Sequence, residues 1–305
     1  MKVLSLFDGI SCGRVALERA GLFVESYHAW EIEPSAMEIS RNNFRDVIQM
    51  GDVTATDFTQ HRGADLLLGG SPCQGFSVSG KMLNFDDPRS RLFFEYVRAL
   101  REAAPQYFLL ENVNMKKEWR DIISEHLGVE PLLINSALVS AQNRSRLYWT
   151  NIPVAGLPAD RGIQLRDILE TTEYVNPAAI RGRKMSQETG VWRRQDQGLG
   201  VKHVQCLEVR ASNPCKSNCL TTVDKDNVLT SLPPGRYPDV FNADLPYRYY
   251  TTRECERLQT LPDGYTAGVS ERAAKRAIGN AWTVDIIAWI LSFIPQEEGD
   301  DDWML

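Results

Sequence analysis

The chain has 305 residues, 43% of them hydrophobic and 24% charged, a composition close to that of globular proteins that argues against a disordered chain or a membrane protein. The net charge of −6 would disfavour a nucleic-acid partner if it were spread evenly, but five acidic residues lie within 296–305, and residues 1–295 carry only −1. The first apolar run, residues 3–7, is too short for a secretory signal, so we expect a cytoplasmic protein whose six cysteines are reduced.

The first half of the chain alternates short β-rich runs with amphipathic helical patterns. This order is typical of an α/β fold with a parallel sheet flanked by helices. Strands are predicted at 2–7, 27–31, 47–50, 66–69, 107–111, 132–139 and 147–151, and helices at 13–20, 34–43, 91–103 and 115–127.

Beyond residue 152 this regularity decays into Gly, Pro, Asn and Gln until about residue 250, which predicts a separate small domain. Within it, the segment 181–216 carries a net charge of +5, which suits either a phosphate-facing stripe or a solvated loop. Helical patterns return at 252–259 and, as one stretch, at 270–293. We therefore divide the chain into a first domain that comprises 1–160 and returns at 251–295, a small domain at 161–250, and an acidic tail at 296–305.

Acidic residues follow three consecutive predicted strands. Asp8 comes after the first strand, in a glycine-containing turn that opens a helix, and Glu31 and Asp52 end the second and third strands. In α/β folds ligands bind at the carboxyl ends of the strands, so three carboxylates there predict a ligand with several hydrogen-bond donors. The spacing of the turn is not G-x-G-x-x-G, and a turn without a ligand is the alternative.

A cysteine and a glutamate follow the next two predicted strands. Cys73 lies after the fourth strand, in a turn rich in Gly and Pro, and Glu111 ends the fifth strand, so we expect the two side chains beside each other. An isolated cysteine is more often a small buried hydrophobe, but a core cysteine does not need these polar surroundings. A thiol nucleophile beside a carboxyl group suits attack on an electron-poor ring whose nitrogen must be protonated or hydrogen-bonded.

These motifs resemble those of the cytosine-C5 DNA methyltransferase family. Gly-Ser-Pro-Cys-Gln-Gly-Phe-Ser at 70–77 matches its nucleophile motif, Glu-Asn-Val at 111–113 its acid motif, and Gln-Asn-Arg-Ser-Arg at 142–146 its Gln-x-Arg-x-Arg motif. Residues 253–259 and 279–282 resemble its two closing motifs, in the family's order. Residues 4–10, 91–95 and Trp282 are most similar to the de novo branch of animals, whereas the compact length suggests a bacterial or phage stand-alone enzyme.

The resemblance implies a Rossmann-like S-adenosylmethionine-dependent methyltransferase sheet, with a target-recognition domain at 161–250. It implies that Cys73 attacks C6 of a flipped-out cytosine, that Glu111 contacts N3, and that Arg146, with Arg144, holds the nucleophile loop and the flipped nucleotide. S-adenosylmethionine then methylates C5 and leaves as S-adenosylhomocysteine. The implied cofactor contacts are Phe7, Asp8, Gly9, Ser11, Glu31, Ile32, Asp52, Val53, Pro72, Leu92, Asn280 and Trp282.

The implied partner is double-stranded DNA. Residues 219–222 resemble the family's Thr-Leu element, which touches the surroundings of the flipped nucleotide, and the basic side chains of the small domain are candidates for phosphate or guanine-edge contacts. The expected DNA contacts are Gln74, Ser77, Arg181, Arg183, Lys184, Arg193, Arg194, Thr221, Thr222 and Arg236. We expect a monomer or a weak homo-oligomer, without a membrane partner.

Other functions and sites fit the motifs less well. An RNA cytosine methyltransferase would share the cofactor and nucleophile motifs, but the long recognition segment favours duplex DNA. A catalytically silent binding module would be expected to lack Cys73 or Glu111, and a nicotinamide dehydrogenase would leave both unexplained. Cys206, Cys215 and Cys219 lack the paired C-x-x-C spacing of zinc sites, so we expect no metal.

Overall fold

The computed structural model describes residues 1–71, 88–185, 192–194, 204–209 and 215–296. Its larger sheet is built from the strands β1 Lys2–Leu6, β2 Ser26–Trp30, β3 Val47–Gln49, β4 Leu66–Gly69, β5 Tyr107–Val113, β6 Leu132–Asn135 and β7 Ser145–Thr150. Their order is β3-β2-β1-β4-β5-β7-β6, and the first five strands in this order are parallel. The chain reverses its direction of winding between β1 and β4, where α/β sheets open a crevice at the carboxyl ends of their strands.

Helices cover both faces of this sheet, which is why its central strands are almost continuously apolar. One core layer holds Val3 and Leu68 against α1 Cys12–Arg19, α2 Pro34–Asn43 and α8 Val284–Leu291. The other layer holds Leu4 and Leu67 against α3 Pro88–Ala103 and α4 Lys117–Leu127. Alternate residues of β1 and β4 thus enter opposite layers, as the twofold periodicity of a strand requires.

The sheet is parallel, as predicted, except at one side, where β7 pairs antiparallel with both β5 and β6. The predicted strand at 132–139 ends at Asn135, whose side chain accepts a hydrogen bond from Ala137 N and starts a 3₁₀ turn, Ser136–Leu138. The segment between β6 and β7 is too short for the helical crossover that a parallel pairing needs, so the chain folds back as a hairpin.

A second sheet lies within the segment predicted as the small domain. Its antiparallel strands are β8 Asn176–Met185, β9 Trp192–Arg194, β10 Val204–Val209, β11 Val228–Thr230, β12 Gly235–Tyr237 and β13 Tyr247–Tyr249, in the order β12-β10-β8-β11-β13 with β9 paired to β8. One face packs Ile180 and Leu207 into a core of its own. The other face packs Leu229 against Leu258 and Ile278 of the returning chain, so the two parts of the protein share a hydrophobic contact.

A short helix, α5 Leu165–Ile168, precedes the second sheet in the chain. After that sheet the returning chain forms α6 Thr252–Leu258, α7 Glu271–Asn280 and α8. The prediction of one helix over 270–293 is wrong, because Ala281 adopts extended backbone angles and α8 starts only at Val284. The apolar periodicity continues through both helices and conceals the break, which turns Trp282 towards β5. No helix in the described part of the chain is long and apolar enough to cross a membrane.

Candidate active site

A cavity of about 390 Å³ opens at the carboxyl ends of β1, β2, β4 and β5. The cofactor contacts implied by the resemblance converge on it from separate parts of the chain: Phe7, Asp8, Gly9, Glu31, Ile32, Asp52, Val53, Leu92, Asn280 and Trp282 line its wall. Ser11 is fully buried behind this wall, where its hydroxyl donates to Asp8. Pro72 lies outside the described residues.

Glu31 ties the loops after β1 and β2 together. Its Oε2 accepts a hydrogen bond from Gly9 N, and its Oε1 accepts from Ile32 N and Glu33 N, all at 2.8 Å. Ile32 is 70% exposed beside it. The arrangement sets a fixed carboxylate next to a free apolar surface, which suits a ligand with both hydroxyl groups and a flat ring.

Asp8 is the most enclosed of the three carboxylates. Ser5 and Tyr27 donate hydroxyl hydrogen bonds to its Oδ1 and Ser11 donates to its Oδ2, each at 2.6 Å. Burial raises the pKa of Asp8, and these three donors only partly offset the effect. Phe7 has a positive φ of 56°, so the hydrogen bonds of Asp8 stabilise a strained loop at the cavity wall.

Asp52 is exposed and caps the 3₁₀ turn Val53–Ala55. Its Oδ1 accepts hydrogen bonds from Thr54 N at 2.9 Å and Thr54 Oγ1 at 2.8 Å, and these two donors lower the pKa of Asp52. An ionised carboxylate therefore stands at the rim of the cavity over a wide pH range, able to accept from an amino group of a ligand.

Glu111 on β5 is held by two donors from distant parts of the chain. Arg146 Nε on β7 lies 3.0 Å from its Oε1, and Trp282 Nε1 donates to its Oε2 at 3.1 Å. Burial by itself would lower the pKa of Arg146, but the Glu111 carboxylate and the sulfur of Cys219 outweigh burial and raise it. The guanidinium is thus a permanent positive charge that fixes the orientation of Glu111.

Arg144 joins three segments at the edge of the site. Its side chain, in a residue only 4% exposed, donates to Leu220 O at 3.1 Å, Ala281 O at 3.0 Å and Cys219 Sγ at 3.4 Å. It therefore connects the Thr-Leu-like element at 219–222 with the break between α7 and α8. The element at 219–222 and α7 are in close contact, since a Cβ on Gly279 would lie 2.7 Å from the backbone of Thr221.

The expected nucleophile, Cys73, lies outside the described residues, as do Gln74 and Ser77. The described residues just before it are held next to β5, because Asn112 Nδ2 donates to Ser71 O at 3.3 Å and to Ser71 Oγ at 3.2 Å. A Cβ on Gly70 would lie 3.4 Å from Glu111 Oε2. The chain therefore leaves β4 alongside the carboxyl group of Glu111, two residues before Cys73.

The basic residues expected to contact DNA lie on the second sheet, and three of them have acidic partners. Arg183 and Arg236 each bond Glu208 at 2.6 Å, and Arg181 pairs with Asp226. Thr221 donates to Asp226 Oδ2 at 3.0 Å, and Thr222 is exposed. Lys184 belongs to β8 and Arg193 and Arg194 to β9, but their side chains lie outside the described residues.

Several cavity residues were missed by sequence reasoning. Arg276 lines the cavity and pairs with Glu33 at 3.0 Å, and its place one helical turn before Asn280 on α7 was an available signal. Trp30 also lines it, but nothing in the sequence distinguishes its side chain from that of a core residue. Gly70 lines it as well and opens the nucleophile motif, although it was not expected to contact the cofactor. Tyr27, which supports Asp8 from β2, was likewise indistinguishable from a core aromatic.

Comparisons with known proteins identify the family of this chain. The family model described as C-5 cytosine-specific DNA methylase matches residues 1–153 and 160–296. The type II methyltransferases M1.ScrFI of Lactococcus lactis subsp. cremoris and M.NlaX of Neisseria lactamica are each 28% identical over 94% of this chain, which spans 76% and 93% of their lengths. The orphan methyltransferase M.Rho11sI of Bacillus phage rho11s is 31% identical over 64% of this chain, a match that spans only 41% of the phage protein.

Solved structures share the fold. The structure of a Spodoptera frugiperda DNMT2 mutant superposes with a TM-score of 0.66 at 19% identity, over 96% of this chain and 98% of its own. The Entamoeba histolytica methyltransferase EhMeth superposes with a TM-score of 0.68 at 15% identity, over 95% and 96%. Because the family model matches nearly the whole chain, this protein belongs to the C-5 cytosine-specific DNA methylase family.

Proposed function

We propose that this protein is a DNA cytosine-5 methyltransferase that transfers a methyl group from S-adenosylmethionine to a cytosine flipped out of duplex DNA, through a covalent bond to Cys73. The observation that carries the proposal is the position of Glu111. Arg146 and Trp282 orient its carboxyl group, and it lies beside the end of β4 that leads to Cys73, at the wall of a ligand-sized cavity.

The cavity residues fit S-adenosylmethionine. Glu31 suits the ribose hydroxyls, Asp52 suits the adenine amino group, and the exposed Ile32 offers an apolar surface to the adenine ring. When bound, this cofactor supplies an electrophilic methyl group. The protein's own contribution is to hold the carboxylates of both loops in place before the cofactor arrives, which lowers the ordering cost of binding.

The reaction at the base begins with bond formation at Cys73. Its thiolate adds to C6 of cytosine while Glu111 contacts N3, so that electron density moves to C5 and makes that carbon nucleophilic. C5 accepts the methyl group and then loses its proton, after which the Sγ–C6 bond breaks and the aromatic ring is restored. Cysteine suits this role because it is nucleophilic near neutral pH and leaves readily.

Duplex DNA must present the cytosine outside the base stack, at a cost of a few kcal/mol. Arg144 and Gly279 hold the segment at 219–222 against the cavity wall, which supports its proposed contact with the flipped nucleotide. The second sheet then supplies sequence recognition. We propose that the protein acts on DNA as a monomer or a weak homo-oligomer, which light scattering with and without DNA would measure.

The proposal is tested by transfer of labelled methyl groups to duplex DNA and to tRNA in parallel. We expect transfer to DNA, its abolition in Cys73→Ala with retained binding of S-adenosylmethionine, and normal transfer in the control Cys215→Ala, whose sulfur is exposed on a different segment. DNA containing 5-fluorocytosine should trap a denaturant-resistant adduct, because its C5 has no proton to lose. Full activity of Cys73→Ala, preference for tRNA, or DNA binding without cofactor binding would each overturn the proposal.

A further inference from the structure

We infer that Arg183 and Arg236, held rigid by Glu208 between them, read guanine edges in the recognised DNA sequence. The inference rests on the proposed function and deepens it, since it assigns base readers and a positioning residue on the second sheet. Glu208 was not among the residues singled out from the sequence. Its role emerges only from the pairing of β8, β10 and β12, which brings together three residues that are far apart in the chain.

The three side chains form an ionic triad. Arg183 donates from Nε to Glu208 Oε1 and from Nη2 to Oε2, both at 2.6 Å, and Arg236 donates from Nε to Oε1 at 2.6 Å. The side chains of Arg183 and Glu208 are 16% and 18% exposed, and that of Arg236 is 37% exposed. Burial raises the pKa of Glu208, but the two arginines outweigh it and the pKa is lowered, so the carboxylate stays ionised.

The triad lies on the face of the sheet that is turned towards the catalytic part. Strand register places Glu208 opposite Ala179 and Arg236, on the same face as Arg183 because residues two apart on β8 share a face. That face also carries Leu229, which packs on α6 and α7, and Arg248, which donates twice to the buried Glu254 of α6. The opposite face is filled by the core of the small domain.

A chain of contacts connects this face to the catalytic cavity. Arg181, between the triad and Leu229 on the same face, pairs with Asp226, which accepts a hydrogen bond from Thr221. Thr221 in turn packs against Gly279 at the cavity wall. A duplex whose flipped base enters the cavity would therefore pass along this face. The triad lies at the β10 and β12 side of the sheet, away from β11, where Leu229 packs on α6 and α7.

The chemistry of the triad favours a base edge over a phosphate. Two arginines and one carboxylate carry a net charge of only +1, so the group attracts an anion weakly. Nη1 of Arg183 and both Nη groups of Arg236 are outside the bonds to Glu208, and within the described part of the chain no other hydrogen bond occupies them. Guanine presents two acceptors, N7 and O6, that match a guanidinium fork, and an arginine already fixed by a carboxylate pays less entropy to bind it.

The test uses a pool of duplexes with randomised positions, methylated by the full-length protein, converted with bisulfite and sequenced. The variants are Arg183→Met, Arg236→Met and Glu208→Gln. The matched control is Asp263→Asn, since Asp263 also binds an arginine through both of its carboxylate oxygens, but that arginine is Arg257 of α6, outside the second sheet. Binding of S-adenosylmethionine is measured for every variant as a check on folding. If a Met variant does not bind S-adenosylmethionine, the motif methylated by the isosteric Glu208→Gln variant tests the inference instead.

We expect the wild-type motif to contain at least two guanines besides the one that pairs with the target cytosine. In each Met variant, the preference for guanine at one position of the motif should fall by roughly five- to 150-fold. Glu208→Gln should weaken the preference for guanine at both positions. The control Asp263→Asn should keep the wild-type motif. A motif without such guanines, an unchanged motif in the variants, or an equal loss on all sequences would overturn the inference. A wild-type protein that methylates no DNA at all would instead overturn the proposed function, and the inference with it.

Discussion

Trp282 donates a hydrogen bond of 3.1 Å from its indole nitrogen to Oε2 of Glu111, although 171 positions separate them in the chain. Arg146 occupies the other oxygen of the same carboxyl group, at 3.0 Å. The indole can reach Glu111 only because the helix ends at Asn280 and the backbone becomes extended at Ala281. The interruption between α7 and α8 is therefore the structural means by which the end of the chain orients the expected acid.

Replacement of Trp282 with Phe should lower the rate of methyl transfer by about tenfold or more. The variant keeps an aromatic ring at the cavity wall but loses a hydrogen bond to a charged group, which is worth about 1.5–3 kcal/mol. Single-turnover kinetics on DNA would measure the loss. Trp289→Phe on α8 is the matched control, since Trp289 packs on Phe293 away from the site, and equal effects of the two substitutions would contradict the role given to Trp282.

Replacement of Gly70 with Ala should also disturb the orientation of the Glu111 carboxyl group, in this case through a steric clash with Trp282. A Cβ at this position would lie 2.8 Å from Trp282 Nε1, a separation that forces the indole to move. We expect a loss of activity of at least tenfold with a small change in the free energy of unfolding, measured by urea titration.

A double-mutant cycle with Trp282→Phe separates this explanation from general damage. Because the phenyl ring lacks the atom that Cβ would meet, the activity loss caused by Gly70→Ala should be much smaller when Phe is present at 282. Additive effects of the two substitutions would show that Gly70 matters for another reason.

The resemblance of short motifs allowed the sequence to predict the wall of the cavity, because the residues after β1, β2 and β3 lie at one sheet edge by topology alone. The sequence did not reveal the hydrogen bonds and packing contacts that hold these residues in place. Tyr27 supports Asp8 through a hydroxyl group on an otherwise buried aromatic, and such a residue has the same sequence pattern as a core position. Periodicity also cannot show where a helix is interrupted when apolar residues continue on the same face, as they do across Ala281.

The second sheet was the least predictable part of the fold. Its strands β11, β12 and β13 have three residues each, too few for an alternating pattern to be distinguished from a loop. The excess of basic residues in this segment predicts either a positive stripe or a solvated loop, but charge counting cannot show which acidic residues pair with them. Glu208 neutralises part of that stripe across strands, and only the register of β8, β10 and β12 makes this visible.

Replacement of Gly279 with Ala should destabilise the contact between α7 and the segment at 219–222. The added methyl group would lie 2.7 Å from the carbonyl group of Thr221, and a backbone cannot move aside as a flexible side chain can. Overpacking of this kind costs about 1–3 kcal/mol. Urea unfolding would show the loss, and the control Arg272→Ala, at an exposed position on the same helix, should change stability by less than about 0.5 kcal/mol. Unchanged stability of Gly279→Ala would mean that the two segments are not in contact.

Stability should also fall in mild acid because of two neighbouring histidines, His28 on β2 and His61. Their rings lie 5.1 Å apart, edge to face, and both pack on Trp30. Burial lowers the pKa of each ring; at His28 the charge of His61 adds to the effect, whereas Asp57 partly opposes it at His61. Among the described residues, Nδ1 of His28 has no hydrogen-bond partner that would stabilise its protonated form.

The sign follows from these lowered pKa values. Each histidine binds a proton more readily in the unfolded chain, so its contribution to stability is complete above the ordinary histidine pKa of about 6.5 and is lost as the pH falls below it. We therefore expect His61→Phe, which keeps an aromatic ring, to gain stability relative to the wild-type protein between pH 7.5 and pH 5. Urea unfolding at both pH values would measure the difference, with His126→Phe as the control. A difference between His61→Phe and wild type that is independent of pH, or that favours the wild type in acid, would contradict the assignment.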